Sequence, residues 1–462
     1  MSLLIVGLDN TIVNVALPSI GRELDAPVSD LQWTVDAYTL VLASLLMLGG
    51  SMGDRLGRRR VFQAGLALFT LGSLLCSAAP GLAWLIAFRM LQAVGGSMLN
   101  PVAMSIIRNV FTDARERAQA IGMWGATIGI SLALGPVLGG ALVQGIDWRA
   151  IFWINIPVGL LALGLTMRFV PESRAPHPRR LDPVGQALVI VLLAALTYAI
   201  IEAPGAGWLS AQTVGLFVLA AVAGGVLVPY EARRYEPLLE PRFFRSLPFS
   251  GASVIAVCAF AALGAFLFLN TLYLQEVRVP HLSALMAGLY TLPIAAMTLF
   301  FAPLSGRIVG RRGPRIALLV GGLGIMLGGL LLTGIGASTP IASLLPAYFV
   351  FGIGFGMVNP PITNTAVLGM PEAQAGVAAA VASTSRQVGQ TLGVAIAGAI
   401  AAAGAATVGP GFVGASHTVW WIVAGCGGAI VGLGLLSTTN RANASARRAL
   451  VRPRPVEAHP GS

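Results

Sequence analysis

Apolar residues fill long runs along nearly the whole chain, and charged residues are gathered in short segments between those runs. The hydrocarbon core of a bilayer is about 30 Å thick, so a helix needs about 20 mostly apolar residues to cross it. Runs of that length, bounded by charged residues or by proline and glycine, predict an all-α membrane protein with fourteen transmembrane helices. They lie near residues 1–18, 31–50, 61–79, 83–106, 118–143, 149–169, 184–201, 212–229, 250–273, 284–304, 315–335, 341–363, 376–402 and 418–438.

A short basic loop occurs twice, at 50–60 and, as a weaker copy, at 305–313. Further matches keep the same order: Asn10-Thr11 with Asn270-Thr271, Asn100-Pro101 with Asn359-Pro360, and Leu134-Gly135 with Leu392-Gly393. Such a repeat is typical of secondary transporters. Helices 1–6 match helices 9–14, and helices 7 and 8 form an inserted pair, a 6+2+6 arrangement. The predicted units are an N-terminal six-helix bundle at 1–169, a linker with the inserted helices at 170–249, a C-terminal six-helix bundle at 250–438 and a cytoplasmic tail at 439–462.

Composition excludes a water-soluble protein, because 10% of the residues are charged, 56% are hydrophobic and the mean hydropathy is +0.81. The formal charge of +11 does not indicate nucleic-acid binding, since the basic residues are dispersed among loops without interleaved aromatic residues. All 29 basic residues are arginines, of which 24 lie in alternate loops and the tail and 3 in the other loops. This asymmetry predicts a multi-pass protein of the cell inner (plasma) membrane with both termini cytoplasmic. The first apolar run lacks a charged leader and a convincing cleavage site, so we do not interpret it as a signal peptide.

Several segments resemble the fourteen-helix drug:proton antiporters of the major facilitator superfamily, a family of multidrug and antibiotic efflux proteins. The matching segments are 8–18, 33–38, 50–60, 89–96, 135–140 and 153–157. The resemblance covers essentially the whole chain. It implies two bundles around a central cavity, proton-driven export of hydrophobic drugs or antibiotics, cationic ones included, and alternating access. It also implies that the chain is not an enzyme and needs no cofactor, because the proton gradient supplies the energy.

The first basic loop carries an acidic residue, Asp54, at the end of predicted helix 2 beside an arginine cluster. The loop glycines allow a tight reversal that keeps the charges close. In the family this loop is similar to a cytoplasmic latch, which here comprises Gly53, Asp54, Arg55, Gly57 and Arg58. The alternative is that the arginines only determine topology. In the second copy Arg307 replaces the acidic residue, so a latch there is doubtful.

Asp9 lies eight residues into predicted helix 1, near the middle of the membrane. A charged carboxylate there costs about 3 kcal/mol even on permissive scales, so Asp9 should face the bundle interior. Burial favours the neutral acid, and Asp9 is therefore a candidate to take up and release protons. Its repeat counterpart is Leu269, so the first half carries ionisable chemistry that the second lacks. The alternative is a carboxylate held by local hydrogen bonds for structure only.

Asp36 and Arg89 lie at similar depth in helices 2 and 4, so Arg89 can pair with Asp36 or reach Asp9 instead. The family resemblance implies proton coupling by Arg89 and recognition of cationic substrate by Asp36. The alternative for Asp36 is a residue near the interface that is wetted from outside. Arg386, inside helix 13, is expected to line the cavity and contact substrate, and a position facing lipid is the alternative.

Gly135, Pro136, Gly139 and Gly140 are expected to let helix 5 kink and approach a neighbouring helix closely. In the superfamily this pattern is typical of exporters that exchange protons. The four histidines are scattered over different loops, so neither a metal site nor a catalytic site is predicted.

The expected partners are a small hydrophobic substrate, protons and the lipid bilayer, whereas the oligomeric state stays open. One alternative function is an exporter or importer of an endogenous metabolite. Another is a non-transporting membrane sensor or a lipid-modifying enzyme, which calls for a soluble domain or clustered acid and base groups.

Overall fold

The computed structural model describes residues 1–111, 113–175, 181–234, 236–238, 240–367, 372–404, 410–439, 441–442 and 444–446. These residues form helices joined by short connections, and no strand occurs among them. The helices are α1 (Ser2–Leu24), α2 (Val28–Leu56), α3 (Arg58–Ser77), α4 (Leu82–Val110), α5 (Ala114–Gly145), α6 (Ala150–Phe169), α7 (Pro183–Ala206), α8 (Ala211–Arg233), α9 (Leu247–Val277), α10 (Ala284–Arg312), α11 (Pro314–Leu332), α12 (Ile341–Val367), α13 (Glu372–Gly404) and α14 (Pro410–Ser437). Helices α6 and α10 are interrupted at Ile154 and Thr291, α9 ends in a π-helical turn, Tyr273–Val277, and a 3₁₀ turn, Pro241–Arg245, precedes α9.

Twelve of these helices are long and apolar enough to cross a membrane over the described residues. The other two are α5, whose final part Gly129–Gly145 is a shorter apolar helix, and α13, which carries a polar segment around Arg386. The all-helical class predicted from the sequence is confirmed. The number of fourteen spanning helices stays a prediction.

Proline does not end the first helix where the sequence suggested a boundary. Helix α1 continues through Pro18 to Leu24 and ends at Asp25, which adopts a left-handed conformation with φ of 48°. Proline is tolerated inside membrane helices because neighbouring groups satisfy the freed backbone carbonyl. For the same reason α4 continues through Pro101 and α5 through Pro136.

The two halves of the chain pack their helices in the same way. Helix α1 packs on α5, α2 on α4, and α3 on both α4 and α6; in the second half α9 packs on α13, α10 on α12, and α11 on both α12 and α14. The two basic hairpins also turn alike, because Gly57 after α2 and Gly313 after α10 both have positive φ, 115° and 78°. Only glycine adopts such angles without steric cost. The described helices thus pack alike in the two halves, and the 6+2+6 arrangement stays a prediction.

The remaining helices, α7 and α8, form a hairpin beside the two halves. Helix α7 contacts α2 of the first half and α13 of the second, and α8 packs mainly on α7. The indole Nε1 of Trp33 on α2 donates to Glu202 of α7 at 2.9 Å, and Gln186 of α7 donates to the Ser44 carbonyl at 2.5 Å. These polar contacts fix α7 to the first half.

Candidate functional site

An ion pair between Asp9 on α1 and Arg89 on α4 lies inside the first half. Both side chains are buried, with 0% and 1% of their surface exposed. Of the two pairings that the sequence allows for Arg89, the structure shows the one with Asp9. A buried charge needs a partner of opposite charge and further hydrogen bonds, so the surroundings of this pair matter as much as the pair itself.

Neighbouring amide side chains complete the hydrogen bonding of the Asp9 carboxylate. Gln92 Nε2 and Asn155 Nδ2 both donate to Asp9 Oδ1, at 2.8 and 3.0 Å. Gln92 also accepts from Arg89 Nη1 at 2.7 Å and donates to Ser73 Oγ at 2.7 Å. Donors on α4 and α6 therefore reach the Asp9 carboxylate of α1, and α3 joins the network through Ser73. In this conformation the Asp9 carboxylate accepts hydrogen bonds from three side chains.

Aromatic rings cover the guanidinium of Arg89. Its Cζ atom lies 4.2 Å from the centre of the Tyr38 ring and 5.9 Å from that of Phe152. Its Nε donates to the Thr34 carbonyl of α2 at 3.2 Å. Cation–π contacts of this kind stabilise a desolvated arginine and keep water away from it.

The sequence analysis did not identify Ser73, Gln92 or Asn155 as site residues. Gln92 and Asn155 fall within segments that matched the antiporter family, and Gln92 lies three residues after Arg89, so it shares a helix face with the arginine. That spacing was the available signal for Gln92. Ser73 gave none, because a serine in an apolar helix is common.

The second half holds an uncharged pair at the corresponding place. By the Asn-Pro match, Tyr348 on α12 stands at the position of Arg89, and Leu269 on α9 at that of Asp9. The Tyr348 hydroxyl donates to Oδ1 of Asn270, and both side chains are buried. The described part of the second half thus replaces the ion pair by a neutral hydrogen bond.

The glycines of α5 lie at two close helix contacts. A Cβ atom on Gly135 would collide with Thr11 of α1, and one on Gly139 would lie 2.7 Å from Ile12 Cγ1. Gly140 faces the second half, where a Cβ would lie 2.6 Å from Leu285 Cα of α10. Pro136 meets Gly288 of α10 at the same seam. The pattern therefore places α5 tightly between α1, which carries Asp9, and α10.

We call the end of the molecule with the connections 25–27, 146–149 and 278–283 the outer end, as the arginine distribution predicts. Here α5 meets α10, and α2 meets α13. Gln32 Nε2 donates to the carbonyls of Val394 and Ala395 at 3.3 and 2.8 Å. At the rim, Arg22 pairs with Glu276 at 2.8 Å. The two halves are joined at this end.

Asp36 lies on α2 at the seam with α13 and is completely buried. Its Oδ1 accepts a long hydrogen bond from Thr39 Oγ1 at 3.4 Å, and its Oδ2 has no partner among the described residues. It neither pairs with Arg89 nor is wetted from outside in this conformation. Both were alternatives that the sequence left open, and neither occurs in the conformation described, while a role of Asp36 in substrate recognition stays a prediction.

Arg386 lies within the second half, on α13. Its Nη2 donates to Thr363 Oγ1 of α12 at 2.5 Å, and its Cζ lies 5.9 Å from the centre of the Phe260 ring on α9. Its Nε has no partner among the described residues. The side chain contacts protein on two sides, in agreement with a position away from lipid.

The basic loop predicted at 50–60 is helical apart from Gly57: Gly53, Asp54 and Arg55 belong to the last turn of α2, and Arg58 begins α3. The predicted latch residues therefore lie at the tip of the hairpin that α2 and α3 form. Asp54 Oδ1 accepts from Arg58 Nε and Nη2, at 3.0 and 2.8 Å, while Arg55 is exposed. Gly53 packs against Val102 of α4, where a Cβ would lie 2.8 Å from Val102 Cγ2. In this conformation the Asp54 ion pair stays within its own hairpin.

Glu172 lies in the connection after α6, and it is a second acidic residue that contacts the hairpin of α2 and α3. Its carboxylate accepts from the backbone N–H groups of Arg59 and Arg60, at 3.1 and 3.3 Å. A carboxylate at a helix N-terminus satisfies free N–H groups and interacts favourably with the helix dipole. Glu172 thereby ties the segment after α6 to the start of α3.

Comparison with known proteins identifies a family and several relatives of this chain. Residues 1–394 match the family model described as Major Facilitator Superfamily. The chain is 38% identical over 403 residues to the multidrug resistance protein Stp of Mycobacterium tuberculosis, covering 87% of this chain and 74% of Stp. It is 35% identical over 406 residues to the tetracenomycin C resistance and export protein of Streptomyces glaucescens, again covering 87% and 74%. A crystal structure of the peptide transporter POT in complex with sulfate superposes with a TM-score of 0.68 at 18% identity, over 96% of this chain and 94% of that one, which shows likeness of fold alone.

Proposed function

This chain belongs to the Major Facilitator Superfamily, and on that premise we propose that it is a proton-coupled antiporter that exports hydrophobic drugs or antibiotics, cationic ones included, by alternating access. The observation that carries the proposal is the buried pair of Asp9 and Arg89. An intramembrane ion pair is costly to build and is usually functional. The names of the relatives, which include a multidrug resistance protein and an antibiotic export protein, support drug export.

Coupling follows from what a proton does to this pair. Protonation of Asp9 removes the negative charge that holds Arg89 and converts the carboxylate from an acceptor of three donors into a neutral acid. The arginine then lacks its counter-charge and the packing of α1, α4 and α6 must adjust. A proton moving inward through about 150 mV supplies roughly 3.5 kcal/mol, which supports an outward gradient of about 300-fold for an uncharged substrate.

The conformation described fits the inward-facing state of such a cycle. Contacts at the outer end join α2 to α13 and α5 to α10. In the opposite state these contacts would separate, and the Asp54 hairpin would act as the cytoplasmic latch. We assign Asp36 to the recognition of cationic substrates and Arg386 to the lining of the cavity.

The proposed membrane arrangement keeps fourteen spanning helices in the 6+2+6 order, with both termini cytoplasmic. It treats α5 and α13 as spanning helices, although their described residues do not by themselves contain a spanning apolar stretch. Both pack deep in the bundle, α5 on α1 and α13 on α9. A helix covered by protein needs less apolar surface than one that faces lipid.

Transport in reconstituted vesicles tests the proposal. With the purified chain in proteoliposomes, an imposed pH gradient should drive uptake of a fluorescent hydrophobic cation such as ethidium, and a protonophore should abolish that uptake. Expression in an efflux-deficient bacterial host should lower susceptibility to the same compound. Uptake that is indifferent to the protonophore would refute proton coupling, and no transport of any drug in a broad panel would favour an endogenous metabolite as the substrate.

A further inference from the structure

The seam between α2 and α13 at the outer end forms what we call the outer gate. Its members are Gln32 and Thr39 of α2, and Thr391, Val394, Ala395 and Gly398 of α13. Gln32 donates to the two carbonyls of α13, and Thr391 Oγ1 donates to Thr39 Oγ1 at 2.9 Å. The side chain of Gln32 occupies the space that a Cβ on Gly398 would take. The gate is closed and tightly packed.

Asp36 lies within the gate, on the same face of α2 as Gln32 and Thr39. Residues three and four positions apart share a helix face, so Asp36 is placed between two residues that both bond to α13. It has no exposed surface, and one carboxylate oxygen has no partner among the described residues. The closed gate therefore seals a carboxyl group that water does not reach.

No charged group compensates Asp36 in the described part of the chain. The described titratable groups on α2 and on the helices packed against it are Asp9, Arg22 and Glu23 of α1, Asp30, Tyr38, Asp54 and Arg55 of α2, Arg58, Arg59, Arg60 and Cys76 of α3, Arg89 and Arg108 of α4, Tyr198 and Glu202 of α7, and Arg386 of α13. Arg89 is engaged by Asp9, Arg386 by Thr363, and Glu202 by Trp33. None of these groups forms an ion pair with Asp36.

We propose that Asp36 is the proton-binding residue of the outer gate, which closes over the neutral acid and opens when Asp36 is ionised. An isolated buried carboxylate is far less stable than the neutral acid, because it loses its hydration without gaining a counter-charge. The proton passes from the outer water to a carboxylate oxygen of Asp36 while the gate is open. The neutral acid can then be enclosed between α2 and α13.

This inference deepens the proposed proton-coupled transport and rests on it. The carboxylate that we assign to cation recognition holds either a proton or a drug cation, not both. A proton from outside thus replaces the drug and at the same time permits the gate to close. Asp9 and Asp36 act at different places, the first inside one half and the second between the halves.

The distance between the two halves at the outer end tests the proposed gate, and its measurement needs neither drug nor transport. Spin labels are attached to Ile146→Cys and Ser338→Cys, one exposed outer-loop position in each half, in a variant whose three native cysteines are replaced. Double electron–electron resonance spectroscopy then gives the distribution of distances between the two spin labels in lipid nanodiscs at a series of pH values. The parent should change from a mainly short distance at acidic pH to a mainly long one at alkaline pH.

Matched variants separate Asp36 from other carboxylates. Asp36→Asn should keep the short distance at every pH, whereas Asp36→Glu should keep the pH-dependent change. Asp30→Asn, on the same helix but partly exposed, should behave like the parent. A parent whose distances do not depend on pH, or an Asp36→Asn variant that opens at alkaline pH as the parent does, overturns the proposal. The distance measurement uses no substrate. A failure of drug export in vesicles would therefore not alter its outcome, and the two proposals can fail separately.

Discussion

At the scale of single residues, the two halves contrast at one position of the repeat. Arg89 binds a carboxylate, whereas Tyr348 at the matching position binds the amide of Asn270. The second arrangement leaves Nδ2 of Asn270 without a partner among the described residues, and only the first contains a group whose charge changes when a proton binds. The chemistry of coupling is therefore concentrated in the first half.

Replacement of Asp9 by asparagine tests whether the chemistry of coupling lies in the first half. Asp9→Asn removes the titratable group and leaves Arg89 without its counter-charge, so we expect pH-driven efflux to be lost while the protein is still expressed. The measurement is drug uptake into proteoliposomes at imposed pH gradients. Tyr348→Phe is the matched control: it should cost about 1 kcal/mol of stability through one lost hydrogen bond and leave the pH dependence unchanged. Full proton-coupled efflux by Asp9→Asn would contradict the assignment.

The Asp54 hairpin gives a second prediction. Asp54 and Arg58 are four residues apart with 34% and 15% of their side-chain surface exposed, so their pair contributes about 1 kcal/mol or less to stability. Asp54→Asn should therefore leave thermal unfolding and drug binding nearly unchanged but reduce the transport rate severely, because the latch must re-form in each cycle. Arg60→Gln, with 69% of the side chain exposed, is the control and should transport normally. A wild-type rate for Asp54→Asn would leave the loop with a role in topology only.

The sequence predicted the site residues better than it predicted their partners. The position of Asp9 in an apolar run identified it as interior, because a charge in hydrocarbon is costly. Depth along two helices, however, does not reveal how those helices are rotated, so Arg89 had two candidate partners. Asn155 donates to Asp9 and Ser73 accepts from Gln92, and because both lie far from Asp9 in the sequence, only the packed structure brings them into one network.

At the scale of helices, the apolar runs located each of the fourteen helices α1 to α14, and the errors lie at helix ends and interruptions. Pro18 was taken as an end although α1 continues past it, while the break at Ile154 in α6 had no signal in its residue type. Hydropathy measures whether a helix can enter the membrane. It does not measure whether the backbone bends there.

Gly398 provides the prediction that belongs to this scale. A larger residue on α13 would collide with the Gln32 side chain and separate α13 from α2 at the outer end. Gly398→Val should therefore shift the label distance between Ile146→Cys and Ser338→Cys to the long state and stop export, while expression stays normal because the contact joins two separately packed halves. Gly432→Val on α14, where a Cβ meets nothing within 4 Å, is the matched control. A short distance in the Gly398→Val variant would show that the seam tolerates the extra volume.

At the scale of the whole molecule, the arginine distribution predicts which end faces the cytoplasm. Single cysteines in a cysteine-free background test it with a membrane-impermeant maleimide on intact cells. Gly81→Cys and Gly205→Cys should be labelled directly, and Arg311→Cys only after permeabilisation. Labelling of position 205 only after permeabilisation would contradict the 6+2+6 arrangement, because it would place the loop between α7 and α8 on the inner side.

The α7–α8 hairpin makes the two sides of the transporter unequal towards a molecule dissolved in the lipid. Helix α7 covers the seam between α2 and α13, where the gap among Leu40, Leu193 and Val388 has a volume of only about 10 Å³. On the opposite flank α5 meets α10, and within the part of the chain that the structure describes neither α7 nor α8 packs on these two helices. A hydrophobic compound dissolved in the membrane thus meets helix α7 on the flank of α2 and α13, and meets α5 and α10 directly on the other flank. Sideways entry from a leaflet is therefore expected only between α5 and α10, the joint at which Gly140 lies.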